Sequence, residues 1–83
     1  MEVFMFVRDD LKRIVLEAIK ANGGSARVVE VCKYIWENYE SVLRDSGDLF
    51  YTWQYDVRWA AQRLRDSGKL KPAHNRRAPW TLA

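Results

Sequence analysis

The sequence is poor in the residues that bind metals or form cross-links. Its 83 residues include one cysteine, Cys32, and one histidine, His74. One cysteine cannot form an intrachain disulfide, and two soft ligands are too few for a zinc site within one chain. We therefore expect no metal site and no cofactor. A chain without disulfides is also typical of the reducing cytoplasm, so the expected location is cytoplasmic.

Long apolar runs and catalytic glycine motifs are missing as well. No run of 18 apolar residues occurs, so we expect no membrane span. The apolar segment at residues 3–7 is too short for a signal peptide, and no basic region precedes it. The glycine-rich loops that bind nucleotide phosphates and the glycine-flanked serine of a nucleophile elbow are absent. A chain of this size rarely encloses a site that excludes water, so we expect a protein that is not an enzyme.

The chain does contain enough apolar surface for one small domain, and its charge is uneven. Apolar residues make up 48% and aromatic residues 13%, which predicts a single folded domain over residues 1–83. Residues 1–50 carry seven basic and nine acidic side chains, a net charge of −2. Residues 51–83 carry seven basic and two acidic side chains, a net charge of +5. A local excess of this kind attracts polyanions, although a solvated basic surface accounts for it equally well.

Apolar periodicity predicts three helices. The first spans residues 8–22, the second residues 28–39 and the third residues 52–67, each with apolar side chains three and four positions apart. A loop with a polar turn is predicted between the last two helices, over residues 40–50. Cys32 falls on the apolar stripe of the second helix, so we interpret it as a core residue.

The third helix has recognisable ends and two unlike faces. Thr52 is the candidate N-cap, and Gly68 is suited to the left-handed position after the last turn. One stripe, Trp53, Val57, Ala60 and Leu64, is apolar and faces the core in this prediction. Trp59 lies between the two faces, and we expect it to pack beneath the C-terminal segment.

The remaining segments predict short strands. Residues 69–71 and 80–82 are strand-like and flank a basic turn, which predicts a C-terminal β-hairpin with Pro72 and Pro79 near the strand ends. A short strand at residues 25–27 would complete a three-stranded sheet. Residues 3–7 form either a strand, an oligomer contact or a segment laid over the core. Three helices followed by a basic hairpin are the order of a winged helix-turn-helix, a mainly α fold with a small β-sheet.

This fold predicts a DNA-binding surface. A helix fits the major groove, which is about 12 Å wide, and Arg and Gln side chains can bond guanine and adenine edges there. The third helix would enter the major groove, and the basic wing, residues 73–79, would contact the backbone or the minor groove. The alternatives are surface pairing of Arg58 and Arg65 with Asp56 or Asp66, and a merely solvated turn at the wing. The candidate residues are Tyr51, Gln54, Tyr55, Arg58, Gln62, Arg65, Lys69, Lys71, His74, Asn75, Arg76 and Arg77.

Several motifs, taken with their spacing, match a known family. The matching segments are Val15–Ile19, Gly23-Gly24, Val29-Glu30-Val31, Tyr55–Ala60, Leu64, Ser67–Leu70 and Trp80-Thr81-Leu82. Over most of residues 10–82 the chain resembles the N-terminal winged-helix domain of Mrr-type restriction endonucleases. The resemblance implies DNA binding, with Arg58 and Trp59 at the family's motif positions. A separate nuclease domain follows in that family, and these 83 residues contain none.

Several functions remain open at this point. The chain is either an excised domain or a stand-alone module that acts as a transcription regulator or joins a separate nuclease or partner subunit. The family resemblance adds recognition of modified bases within a restriction-modification system. The competing hypothesis is a winged helix that binds protein or forms a homodimer, which the apolar residues 3–7 and the high aromatic content favour. The predicted partner is double-stranded DNA, and no membrane is expected.

Overall fold

Three helices and two short strands make up the molecule. The computed structural model describes residues 5–73 and 75–83. In chain order the elements are α1 (Asp10–Ala21), β1 (Ser25–Ala26), α2 (Val28–Arg44), α3 (Leu49–Asp66) and β2 (Trp80–Thr81). Each helix packs against the other two. None of the described helices has the length and hydropathy needed to cross a bilayer.

Helix α1 is built as its apolar spacing predicts. Five side chains on one stripe are buried, namely Leu11, Ile14, Val15, Ala18 and Ile19. The Asp10 carboxylate accepts a 2.8 Å hydrogen bond from the Val7 N–H, which closes the first turn. The helix ends at Ala21, and the left-handed Gly23, with φ of +84°, turns the chain so that the Gly24 N–H bonds the Ile19 carbonyl at 2.9 Å.

Helix α2 is longer than the sequence predicted. The prediction ended it at residue 39, but it continues to Arg44 past a bend at Tyr39, where φ and ψ are −131° and 18°. The bend shifts the phase of the apolar stripe, so the pattern breaks while the helix continues. Leu43 is fully buried beyond the bend, which shows that packing against the core sustains the last turn.

Helix α3 begins earlier than predicted. Its first residue is Leu49, which is buried, so Thr52 lies inside the helix and is not the N-cap. The Thr52 hydroxyl donates instead to the buried Asp56 carboxylate at 2.7 Å. The predicted turn at residues 45–48 and the end of the helix before Gly68, with φ of +80°, are both present.

The apolar stripe of α3 is confirmed. Trp53, Val57, Ala60 and Leu64 are all buried, and Ala61 joins them. The small side chains of Ala60 and Ala61 are fully buried, which allows a close approach of the neighbouring elements. This stripe fixes the rotation of α3 about its axis.

The sheet pairs distant segments and is smaller than predicted. Strands β1 and β2 are antiparallel, with Ser25 opposite Thr81 and Ala26 opposite Trp80. The strand predicted at residues 25–27 is present as β1, whereas the strand predicted at residues 69–71 contributes only an isolated bridge between Leu70 and Leu82. The described part of the C-terminal segment is therefore not a hairpin of two strands, and no clear wing is present. Pro72 and Pro79 lack the N–H groups that would extend the ladder.

Residues 5–7 lie over the core and form neither a helix nor a strand. The Phe6 side chain is 2% exposed and packs edge-on against Tyr39, with ring centroids 5.4 Å apart. The Phe6 N–H donates to the buried Ser46 hydroxyl at 2.9 Å. The first segment thus closes the core over the bend in α2 and over the turn that follows α2.

One carboxylate of α1 accepts hydrogen bonds from two tyrosines of α2, one before the bend and one at the bend. Glu17 accepts hydrogen bonds from the Tyr34 hydroxyl at 2.9 Å and from the Tyr39 hydroxyl at 2.6 Å. The hydrogen bond to Glu17 raises the pKa of both phenols, and partial burial adds to the effect. Because ionised tyrosine cannot donate to a carboxylate, the folded state favours the neutral phenols.

Replacement of Phe6 by Ala should remove much of the stability. We expect the free energy of unfolding to fall by about 3–5 kcal/mol, the usual cost of deleting a buried aromatic side chain. Urea denaturation followed by circular dichroism measures the change. Val7→Ala is the matched control because Val7 is 62% exposed, and it should change stability by less than about 0.5 kcal/mol. Equal effects of the two substitutions would contradict the placement of Phe6.

Alkaline pH should weaken the fold through Tyr34 and Tyr39. Their pKa values are raised on folding, so the stabilisation is complete below the ordinary tyrosine pKa of about 10 and is lost as pH rises through the folded values. The free energy of unfolding, measured between pH 8 and about pH 11, should fall less steeply in Tyr39→Phe than in the wild type. Tyr51→Phe, at a side chain 83% exposed, should leave the slope unchanged. If the slope changed in Tyr51→Phe but not in Tyr39→Phe, the role of Glu17 would be refuted.

Candidate nucleic-acid interface

The outward face of α3 follows from the burial of its apolar stripe. Tyr51 and Tyr55 are 83% and 75% exposed, and Arg58 and Gln62 are exposed one and two turns farther along the helix. Arg65 lies on the same face but is half-buried. The face that carries these tyrosine, arginine and glutamine side chains, opposite the apolar stripe, is therefore the face that points away from the core.

Part of this face lines a cleft that we call the basic cleft. One wall is α3, and the other is the C-terminal segment together with the start of α2. The volume is about 720 Å³, and of the described residues that line it none is acidic. Its lining residues are Val28, Arg58, Gln62, Arg65, Ala73, Asn75, Arg76 and Trp80. Three guanidinium groups from two separate segments thus meet at one concave surface.

Arg65 is the most constrained cation of the basic cleft. Its guanidinium carbon lies 5.9 Å from the centroid of the Trp80 ring, and its Nε is buried without a hydrogen-bond partner among the described residues. Its Nη1 donates a long hydrogen bond of 3.4 Å to the Gln62 side-chain oxygen. A buried donor without a partner costs about 1–3 kcal/mol. The described chain therefore leaves one donor of Arg65 unsatisfied, at an atom that is covered from solvent.

The surface-pairing alternative for Arg58 and Arg65 is not what the structure shows. Within the described residues, neither side chain forms an ion pair with Asp56 or Asp66. Asp66 lies instead 3.8 Å from Arg63 and accepts a 3.0 Å hydrogen bond from Gln62. The Arg58 guanidinium consequently keeps its charge open to solvent at the mouth of the cleft.

A side-chain turn presents Arg76 to the basic cleft. The Asn75 side-chain oxygen accepts a 2.8 Å hydrogen bond from the Arg77 N–H, and the Asn75 carbonyl accepts one of 3.2 Å from Ala78. These bonds define a local turn of the kind that Asn favours. Arg76 lines the cleft, whereas Arg77 is exposed and does not. His74, predicted as a contact, lies outside the described residues.

Several predicted site residues lie elsewhere. Lys69 lines a different groove, next to α1, and Lys71 is exposed with its N–H bonded to the Thr81 carbonyl at 2.9 Å. Gln54 borders an apolar groove between α2 and α3. Tyr51 lies two turns before Arg58, about 10 Å along the helix axis. The cleft therefore gathers Arg58, Gln62, Arg65, Asn75 and Arg76, while the other described candidate residues do not line it.

Three residues of the cleft, Val28, Ala73 and Trp80, were not among the candidate site residues, although Ala73 begins the predicted wing. For Trp80 the sequence offered one signal, an aromatic residue at the start of a strand, and for Val28 it offered none.

The ring contacts of Trp59 differ from the expectation. Trp59 was expected beneath the C-terminal segment. The cations over its ring are instead Arg8, 3.9 Å from the ring centroid, and Lys12 at 5.3 Å. Trp59 thus helps to hold the chain before α1 against α3.

The described residues offer no evident metal site. Within residues 5–73 and 75–83, no group of three or more His, Cys, Asp or Glu side chains is placed to hold a metal ion. Cys32 is half-buried and packs against the core. Burial raises the pKa of the Cys32 thiol, and Arg58 opposes this only in part, so the reactive thiolate is disfavoured at neutral pH.

The comparisons with known proteins identify no relative. No family model, no curated protein and no solved structure matches the chain. The molecule is therefore described by its architecture: a small, mainly helical domain with three helices and a two-stranded antiparallel sheet.

Replacement of Arg65 by Met should not weaken the fold. The substitution removes a buried donor without a partner and keeps an unbranched side chain beside the Trp80 ring, where a thioether also packs well. We expect the free energy of unfolding to stay equal or to rise by about 1 kcal/mol. Urea denaturation of the two proteins tests this. A loss of more than about 1 kcal/mol would show that Arg65 stabilises the folded chain.

Proposed function

We propose that this domain binds double-stranded DNA. Helix α3 occupies the major groove, and residues 73–79 contact the sugar–phosphate backbone or the minor groove. The observation that carries the proposal is the meeting of Arg58, Arg65 and Arg76 in one concave surface without lining carboxylates among the described residues. Separate segments of chain supply these cations, as expected for a surface that fits an external polyanion.

The chemistry of the basic cleft suits DNA. Guanidinium groups bond phosphate oxygens or the O6 and N7 atoms of guanine with two parallel hydrogen bonds. Gln62 carries an amide that can bond adenine, although Asp66 and Arg65 hold it in the free protein. Phosphate neutralisation releases counterions, so the interaction should depend strongly on salt.

The proposed fold is a winged helix-turn-helix. Helices α2 and α3, joined by the turn at residues 45–48, form the helix-turn-helix with α3 as the recognition helix. The segment after α3 acts as a reduced wing. Its ends are held together by the Leu70–Leu82 bridge and by the bond from Lys71 to Thr81. A loop held at its base in this way returns Arg76 to the side of α3.

The motif resemblance to the N-terminal domain of Mrr-type restriction endonucleases supports the same proposal. Arg58, at one motif position, lies in the basic cleft. Trp59, at the next, packs with Arg8 and Lys12 and serves the fold. In this proposal the domain supplies DNA recognition in the cytoplasm without cleaving the strand. It acts either as a regulator or beside a separate nuclease subunit, with modified DNA as one class of target.

Fluorescence anisotropy with labelled duplex DNA at several salt concentrations tests the proposal. We expect binding near about 50 mM salt, and an affinity that falls steeply and log-linearly as salt rises. No binding at that salt concentration, or an affinity that ignores salt, would contradict it.

Single substitutions locate the site. Arg58→Ala should cost about 1–3 kcal/mol of binding if Arg58 contacts a base, and should relax sequence preference. Arg76→Ala should weaken binding to all sequences and make the salt slope less negative by about 0.9. Lys33→Ala is the control: it also removes one positive charge, but Lys33 lines the apolar groove and not the basic cleft. Equal losses in all three variants would show that net charge, and not the cleft, drives binding.

A specific observation favours protein binding as a second candidate function. An apolar groove of about 520 Å³ lies between α2 and α3, lined in part by the stacked rings of Trp36 and Trp53, whose centroids are 6.0 Å apart. Val29 borders it and is 56% exposed. The occupant in this alternative is a second copy of the chain. A concentration-dependent dimer in sedimentation, abolished by Val29→Asp, would favour this function.

A further inference from the structure

A second basic surface lies beside α1 and the C-terminal end of α3. It forms a groove of about 740 Å³, which we call the α1–α3 groove. Five cations line it, namely Lys12, Arg13, Lys20, Arg63 and Lys69. Two of them, Arg63 and Lys69, belong to the C-terminal excess of charge, and of these two only Lys69 was a candidate for the DNA-binding surface.

Both carboxylates of the α1–α3 groove are already engaged. Asp9 pairs with Lys12 at 3.3 Å. Glu17 accepts the hydroxyl hydrogen bonds of Tyr34 and Tyr39. Among the described residues, Arg13, Lys20 and Lys69 form no ion pair, and the pair of Arg63 with Asp66 is long at 3.8 Å. The phenols that bond Glu17 are neutral and leave its charge in place, so the five cations and two carboxylates of the lining give the groove a formal net charge of +3.

The α1–α3 groove and the basic cleft lie on different sides of α3. Arg58 and Arg63 are five residues apart, which places them about 140° apart around a helix of 3.6 residues per turn. No described residue lines both surfaces, and α1 contributes no described residue to the basic cleft. A duplex bound in the basic cleft would consequently leave the α1–α3 groove open to a second ligand.

The chemistry of the α1–α3 groove fits a phosphate backbone better than a protein surface. Protein interfaces depend on buried aromatic and apolar anchors, and the apolar lining here is limited to Leu16 and the buried Leu64. Arg13 and Lys20 are two helical turns apart, about 10 Å along α1, which spans about three phosphates of one DNA strand.

We propose that the α1–α3 groove binds the backbone of a second DNA duplex, so that one domain bridges two duplex segments. The inference rests on the proposed function in one respect: the basic cleft is taken to bind the first duplex. Backbone contacts carry no base information, so the second duplex is captured without sequence preference and with strong dependence on salt.

A capture assay tests the bridging. One duplex is immobilised on beads, the full chain is added near about 50 mM salt, and retention of a second, labelled duplex is measured. The groove variant is Arg13→Gln with Lys20→Gln. The control variant is Lys33→Gln with Arg44→Gln, which removes the same two charges from α2 and touches neither basic surface. Circular dichroism verifies the fold of each variant, and anisotropy measures binding to a single duplex.

The expected result separates the two surfaces. The groove variant should bind a single duplex with affinity within about twofold of the wild type, yet retain about tenfold less of the second duplex, a difference of about 1.4 kcal/mol. The control variant should bridge as the wild type does.

Three results would overturn the inference. If the groove variant bridged two duplexes as well as the wild type does, the groove would be excluded as the second DNA site. The same outcome is expected if a protein dimer, and not the groove, joins the duplexes. A wild type that binds one duplex but captures no second would end the inference and leave the proposed function intact. Loss of single-duplex binding in the groove variant, with none in Arg58→Ala/Arg76→Ala, would move the first site to the groove and refute both proposals.

Discussion

The rotation of α3 about its own axis is the constraint on which the arrangement of charge depends. Val57, Ala60 and Leu64 are buried on one side of the helix, and Ala60 with Ala61 allows close packing. Burial of apolar area contributes about 25 cal/mol per Å², so a rotated helix would expose several core side chains at once. Because the inner face is fixed, Arg58 must project outward toward the C-terminal segment, and Arg63 must face α1.

Long-range contacts form the wall of the basic cleft that lies opposite α3. Pairing of β1 with β2 brings Trp80 back to the start of α2, next to Arg65. The buried Nε of Arg65 has no hydrogen-bond partner among the described residues, which is a cost in the free protein. In the proposed function, the Trp80 ring positions the Arg65 guanidinium at the cleft, and the Asn75 turn positions Arg76 there.

Much of the helical framework was predictable, because amphipathic stripes are local. The buried residues of α1 and the inner stripe of α3 follow from spacing alone. The end of α2 was not predictable in this way, because the bend at Tyr39 depends on contacts with Glu17 and Phe6, far away in the sequence. The polar residues of segment 40–50 predicted a loop, whereas burial of Leu43 favours a helix, and the helix continues to Arg44.

The C-terminal segment shows a second limit of local patterns. Alternating residues predicted a hairpin of residues 69–71 with residues 80–82, and residues 25–27 as a further strand of the same sheet. Strand β2 does pair with β1, more than 50 residues away, but residues 69–71 contribute only one bridge. The direction of the chain after Gly68 likewise decides that Lys69 faces α1 and not the basic cleft. Net charge by segment therefore indicated a polyanion-binding surface, whereas its division between two sides of α3 required the fold.

The most direct test of the central claim is a map of where DNA touches the molecule. Titration of duplex DNA into isotopically labelled protein, followed by NMR, should shift the signals of Arg58, Gln62, Arg65 and Arg76 together at the lowest ratios of DNA to protein. Shifts confined to the apolar groove around Trp36, or scattered evenly over all cations, would contradict the account.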